Sequence, residues 1–136
     1  MKRNLKTEHL ILIVMLSAFS CTAPSAAKAD ASGSTYEIKI TPSSDPKNPG
    51  AIIKATGKGG FHCNTLYPWK LTVKPGPVTG PKPTILKKKD AQKFAKDAVI
   101  FKVSHKPNTA KKATADLKFS MCNDKQCVME TVPLSW

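Results

Sequence analysis

Two cysteines, Cys122 and Cys127, flank the polar stretch Asn123-Asp124-Lys125-Gln126 near the end of the chain. The segments on either side, Ala115 to Met121 and Cys127 to Leu134, read as strands, so the whole segment predicts a β-hairpin with a turn at Asn123 to Gln126. Residues at the two ends of such a hairpin face each other within bridging range. This commits the last part of the chain to β-structure and offers a short-range disulfide. A bridge closing a ring of about six residues stabilises by only about 2 kcal/mol in the chain-entropy account. Stability alone is a weak reason for the pair, and redox exchange stands beside a structural bridge as its reading.

The rest of the chain extends the β pattern. Tyr36-Glu37-Ile38-Lys39-Ile40 and Trp69-Lys70-Leu71-Thr72-Val73 alternate apolar and polar residues, as half-buried strands do. Ala51 to Ala55 is bounded by Pro49-Gly50 and Gly57. Thr84 to Leu86 follows a Pro/Gly-rich loop, and Ala98 to Val103 is β-branched. Asp90 to Ala95 reads as one helical turn or a loop. No stretch keeps a helical period over three turns. The expectation is an all-β, immunoglobulin-like β-sandwich of about seven strands.

The N-terminus reads as an export signal. Lys2, Arg3 and Lys6 precede the apolar run Leu10 to Phe19, which has the length of a signal-peptide core and is too short to span a bilayer. Two processing routes fit. Ala27-Lys28-Ala29 has the small-x-small form of a cleavage site, giving a signal peptide over 1–29. Ser17 to Cys21 resembles a bacterial lipobox, giving a lipoprotein signal over 1–20 and membrane association through a lipidated Cys21. Residues 30–34 are then a tether and 35–136 one domain. A periplasmic or extracellular location follows.

From Asp30 onward the chain carries 18 lysines, no arginine and 8 acidic side chains, a net charge of +10. Nucleic acid is disfavoured as a partner, because arginine, the bidentate reader of guanine and phosphate, is missing. Scattered lysines are expected mainly as solvated strand faces and blunted sheet edges. A lesser reading is attraction to an anionic membrane or an acidic partner.

Beyond the signal, three cysteines leave an odd one, Cys63, either buried as a small apolar residue or open to an intermolecular bond. Lys118 and Lys125 would favour a thiolate near the Cys122/Cys127 pair, and Asp124 would oppose it. His62 and Cys63, placed near Cys122 and Cys127 and joined by Met121 and Met129, are the residues a soft metal would use. However, adjacent His62 and Cys63 point to opposite faces of a strand, and no zinc spacing is present. No cofactor or metal is expected. No nucleophile elbow, spaced carboxylate pair or phosphate loop supports hydrolytic or phosphoryl chemistry.

The stretch Phe119-Ser120-Met121-Cys122 through Cys127, closing on Thr131-Val132-Pro133-Leu134, resembles the end of the N-terminal periplasmic domain of the thiol:disulfide interchange protein DsbD. Gly60-Phe61-His62-Cys63-Asn64 and Tyr67-Pro68-Trp69-Lys70 resemble a segment of small stand-alone secreted relatives. The resemblance implies an immunoglobulin-like fold, Cys122 and Cys127 as the redox pair, and a thioredoxin-like periplasmic protein as partner. It makes the chain an exported thiol-disulfide exchange module. The alternative is a non-catalytic immunoglobulin-like binding module in which Cys122–Cys127 is a structural disulfide.

Overall fold

The computed structural model describes residues 30–43, 50–75, 84–104 and 112–136. The segment expected as an export signal, with Cys21, lies outside the described residues. In chain order the strands are β1 (Ala31–Ser32), β2 (Tyr36–Pro42), β3 (Gly50–Gly57), β4 (His62–Cys63), β5 (Lys70–Val73), β6 (Thr84–Lys87), β7 (Ala91–Phe94), β8 (Val99–Ser104), β9 (Thr114–Cys122) and β10 (Cys127–Ser135). A short 3-10 turn, Lys88–Asp90, joins β6 to β7.

These strands form two antiparallel sheets, ordered β1-β2-β3-β8-β7 and β10-β9-β5-β6, with β4 also paired to β9. The protein is an all-β, two-sheet sandwich. Period-two alternation explains the layering. In β2, Ile38 and Ile40 are buried while Lys39 between them is exposed, and in β5 Leu71 and Val73 are buried while Lys70 is exposed. Each such aliphatic side chain contributes about 1.5–3 kcal/mol when fully removed from water.

The inner faces meet around aromatic rings. Phe119 of β9 lies edge-on to Tyr36 of β2, with ring centroids 4.9 Å apart, and 5.4 Å from the ring of Trp69. Trp69 in turn meets Phe94 of β7 edge-on at 6.0 Å. Phe119 and Trp69 thus pin one sheet to two strands of the other.

All seven strands expected from the sequence are present. Three differences appear. Residues 30–34, expected as a tether, carry β1: Ala31 and Ser32 pair with Ile38 and Glu37, and the Asp30 carboxylate accepts the Ile40 N–H at 3.0 Å. Asp90 to Ala95 is mostly the strand β7, with a register shift against β8 between Ala91 and Lys93. The two-residue β4 is the third.

The path into β4 depends on glycine. Gly59 and Gly60 have φ of 61° and 83°, a region that suits residues without a Cβ. A Cβ on Gly57 would lie 1.9 Å from the Phe61 carbonyl oxygen. The turn closes with the Phe61 N–H donating to the Lys58 carbonyl at 3.1 Å, which delivers His62 to the edge of β9.

Candidate functional site

The β9–β10 hairpin keeps unbroken register over nine positions, from Cys122↔Cys127 at the turn to Thr114↔Ser135. Its turn is the one expected. The Asn123 N–H donates to the Gln126 carbonyl at 2.9 Å, and Asn123 Oδ1 accepts the N–H groups of Lys125 and Gln126 at 3.0 and 2.9 Å. Asparagine serves here because its side chain can substitute for a backbone acceptor.

Because Asn123 and Gln126 form a hydrogen-bonded rung, the next rung, Cys122↔Cys127, is a non-bonded one. On such rungs opposed Cα atoms sit closest, and these two are 4.0 Å apart. The cysteines are joined as a disulfide. The turn is also held by hydrogen bonds that involve neither sulfur.

The two sulfur-bearing residues differ in environment. Cys122 is 8% exposed, covered on one side by β4, whereas Cys127 lies on the outer edge strand and is exposed. His62 of β4 stands directly across from Cys122. The rung therefore reads His62, Cys122, Cys127 across three strands, with all three side chains on the outer face of the sheet. Directly opposed residues have Cβ atoms about 5 Å apart, within reach of an imidazole.

Between β4 and β5 the chain leaves the sheet edge and arches over the outer face. Asn64 anchors this arch. Its N–H donates to the Ser120 carbonyl at 2.9 Å, its side-chain amide to Ser120 Oγ at 3.4 Å, and its Oδ1 accepts the Leu66 N–H at 3.1 Å. Its carbonyl accepts the Trp69 indole N–H at 2.8 Å. Ser120 is consequently buried although it faces outward. The arch presents Leu66, 95% exposed, and β10 presents Met129, 68% exposed, opposite Ser120. Apolar side chains thus stand out on the face that carries the disulfide.

The residues considered for a metal divide between two faces. His62 and Met129 are outward, while Cys63 and Met121 are in the core. Among the described residues no group of three or more His, Cys, Asp or Glu could hold an ion. Cys63 is a free, buried thiol whose Sγ donates to the Ala55 carbonyl at 3.7 Å. Burial pushes its pKa up to about 11. It is inaccessible to a second chain in the folded protein.

Lys125 and Asp124 sit exposed in the turn beside the bridge, as the sequence implied. Lys118 does not neighbour it. Four residues along β9 separate it from Cys122, about 14 Å at the rise of an antiparallel strand. The sequence reading set His62 near the pair only as part of a soft metal site; its direct pairing with Cys122 was not foreseen, because nothing local in the sequence pairs residue 62 with residue 122.

Compared with protein-family models, curated proteins and solved structures, the chain matches none.

Proposed function

We propose that the protein is an exported thiol-disulfide exchange module in which Cys122 and Cys127 cycle between disulfide and dithiol. The supporting observation is the asymmetry of the bridge: Cys127 is exposed, Cys122 is covered, and the hairpin that holds them has its own hydrogen-bonded turn and nine-position register. An incoming thiolate reaches the Cys127 sulfur. A bond forms between the partner's sulfur and Cys127 Sγ, the Cys122–Cys127 bond breaks, and Cys122 leaves as a thiolate beside His62. A second thiolate on the partner then attacks its own mixed-disulfide sulfur and releases Cys127 as a thiolate. The partner dithiol is oxidised by two electrons and the module is reduced by two. A thioredoxin-like protein supplies such a dithiol. Leu66 and Met129 give it apolar surface to cover.

The deciding experiment equilibrates the purified protein in graded glutathione buffers, with the pair read by alkylation and mass spectrometry. A midpoint of about −200 mV is expected for an exchanging pair. A midpoint below about −300 mV marks a structural bridge and leaves the binding-module reading. Trapping supplies a second arm. Cys122→Ala retains the exposed Cys127 thiol, which in the reverse direction attacks the disulfide of an oxidised thioredoxin-like protein and forms a mixed disulfide, whereas Cys127→Ala forms it slowly.

A further inference from the structure

Three lysines far apart in sequence meet on one rung of the second sheet. Lys70 of β5 stands directly opposite Lys87 of β6 on one side and Lys118 of β9 on the other. Strands lie about 4.8 Å apart, so three ammonium-bearing side chains leave the outer face within about 10 Å of one another. Directly opposed like charges destabilise a sheet.

No carboxylate relieves them among the described residues. Asp116, the nearest acid on the same face of β9, pairs with Lys74 at 3.2 Å. The Asp90 carboxylate accepts the backbone N–H of Lys87 at 2.9 Å rather than its ammonium. On the other sheet, by contrast, Lys39 pairs with Glu37 at 3.3 Å and Lys93 pairs with Asp97. The row also has a wall. Tyr67, Pro68 and Trp69, from the foot of the arch, close a pocket of about 320 Å³ over Lys70, Lys87 and Lys118.

We infer that this row is a docking site for an acidic peptide segment, the carboxylate-rich surface of the protein that exchanges thiols with Cys127. Charge complementarity selects the chemistry: a line of unpaired ammonium groups beside an aromatic and proline wall fits carboxylates carried on a chain. Position selects the partner. The row and the disulfide share the outer face of β9, about 14 Å apart along the strand. A protein partner covering about 800 Å² spans both. The identification of the partner therefore rests on the exchange reading above. The row binds the acid and leaves bond exchange to the cysteines.

The test uses a hexaglutamate peptide, followed by amide NMR shifts on the purified protein. Shifts centred on Lys70, Lys87 and Lys118 are expected, with affinity falling steeply as salt rises. Lys70→Gln weakens binding at least tenfold, while Lys102→Gln, on the other sheet, leaves it within twofold. Equal losses in the two variants, or shifts scattered over all lysines, overturn the inference by reducing it to net charge. Binding of anionic vesicles at this row without binding of the peptide overturns it as well.

A kinetic arm addresses the link to exchange. A dithiol peptide bearing glutamates reduces the bridge at least tenfold faster than its glutamine counterpart at low salt. Lys70→Gln abolishes that advantage without changing reduction by dithiothreitol. No advantage for the acidic peptide overturns the link. A bridge that resists dithiothreitol itself defeats the exchange reading, while the NMR arm still decides whether the row binds acid.

Discussion

His62 faces Cys122 across the β4–β9 pair while Cys127 faces the same residue from β10. The imidazole and the exposed sulfur therefore lie on opposite sides of one buried sulfur. A hydrogen bond from an imidazole to the departing Cys122 thiolate stabilises the reduced state by roughly 0.5–1.5 kcal/mol, a shift of about 10–30 mV. His62→Ala is expected to move the midpoint to a more negative value by about that amount and to slow reduction by dithiothreitol several-fold. An unchanged midpoint in glutathione buffers removes His62 from the reaction.

Removing the bridge should leave a folded sandwich. The ring is short and the turn is held by Asn123, so Cys122→Ala/Cys127→Ala is expected to cost about 2 kcal/mol or less in urea unfolding. Loss of the cooperative transition would contradict the independence of hairpin and bridge.

The buried thiol of Cys63 makes stability fall at alkaline pH. Its pKa rises from 9.0 to about 11 on folding, chiefly through desolvation. The folded protein holds the proton where the unfolded chain has lost it. The contribution is complete below about pH 9 and is lost as pH rises through about 11, with a total of roughly 2–3 kcal/mol. Urea titrations at pH 8 and pH 11 should show a smaller alkaline loss for Cys63→Ala than for the parent. Native Cys63 should also resist alkylation until the protein unfolds.

Asn64 holds the arch through both its backbone and its side chain. Asn64→Ala leaves the buried Ser120 Oγ without this partner, while water replaces the acceptor of the exposed Leu66 N–H, and is expected to destabilise by about 0.5–1.5 kcal/mol. Tryptophan emission should shift to the red as the arch loosens around Trp69. An unshifted spectrum with parental stability would show that the backbone contacts suffice.

Much of the sandwich was legible because its long strands alternate. Ile38 and Ile40 flank Lys39, and Leu71 and Val73 flank Thr72, so period two gives both strand and face. β7 escaped detection because its register slips between Ala91 and Lys93, which breaks that period at Ala91-Gln92-Lys93-Phe94. β1 and β4 have two residues each, too few to carry any period. The hairpin bridge was legible because Cys122 and Cys127 are close in the chain. The His62 rung and the Lys70 row were not, because they are made by register between strands distant in sequence. Register is set by how core side chains interlock, and Cys63↔Met121 fixes His62 opposite Cys122 only once both are buried.

The alternation that places Cys122 and Cys127 on a non-bonded rung continues to the far end of the hairpin, where Ala113 and Trp136 exchange both backbone bonds at 2.9 and 3.0 Å. Between these limits Pro133, opposite Asp116, also falls on a non-bonded rung. Its missing N–H is therefore absent from the outward edge of β10 and not from the ladder to β9. A second chain seeking to add itself as a further strand finds donors only up to Thr131 and then an interruption. Pro133 thus interrupts the row of outward donors along β10, the longest outer strand among the described residues, which makes that edge a poorer template for strand addition.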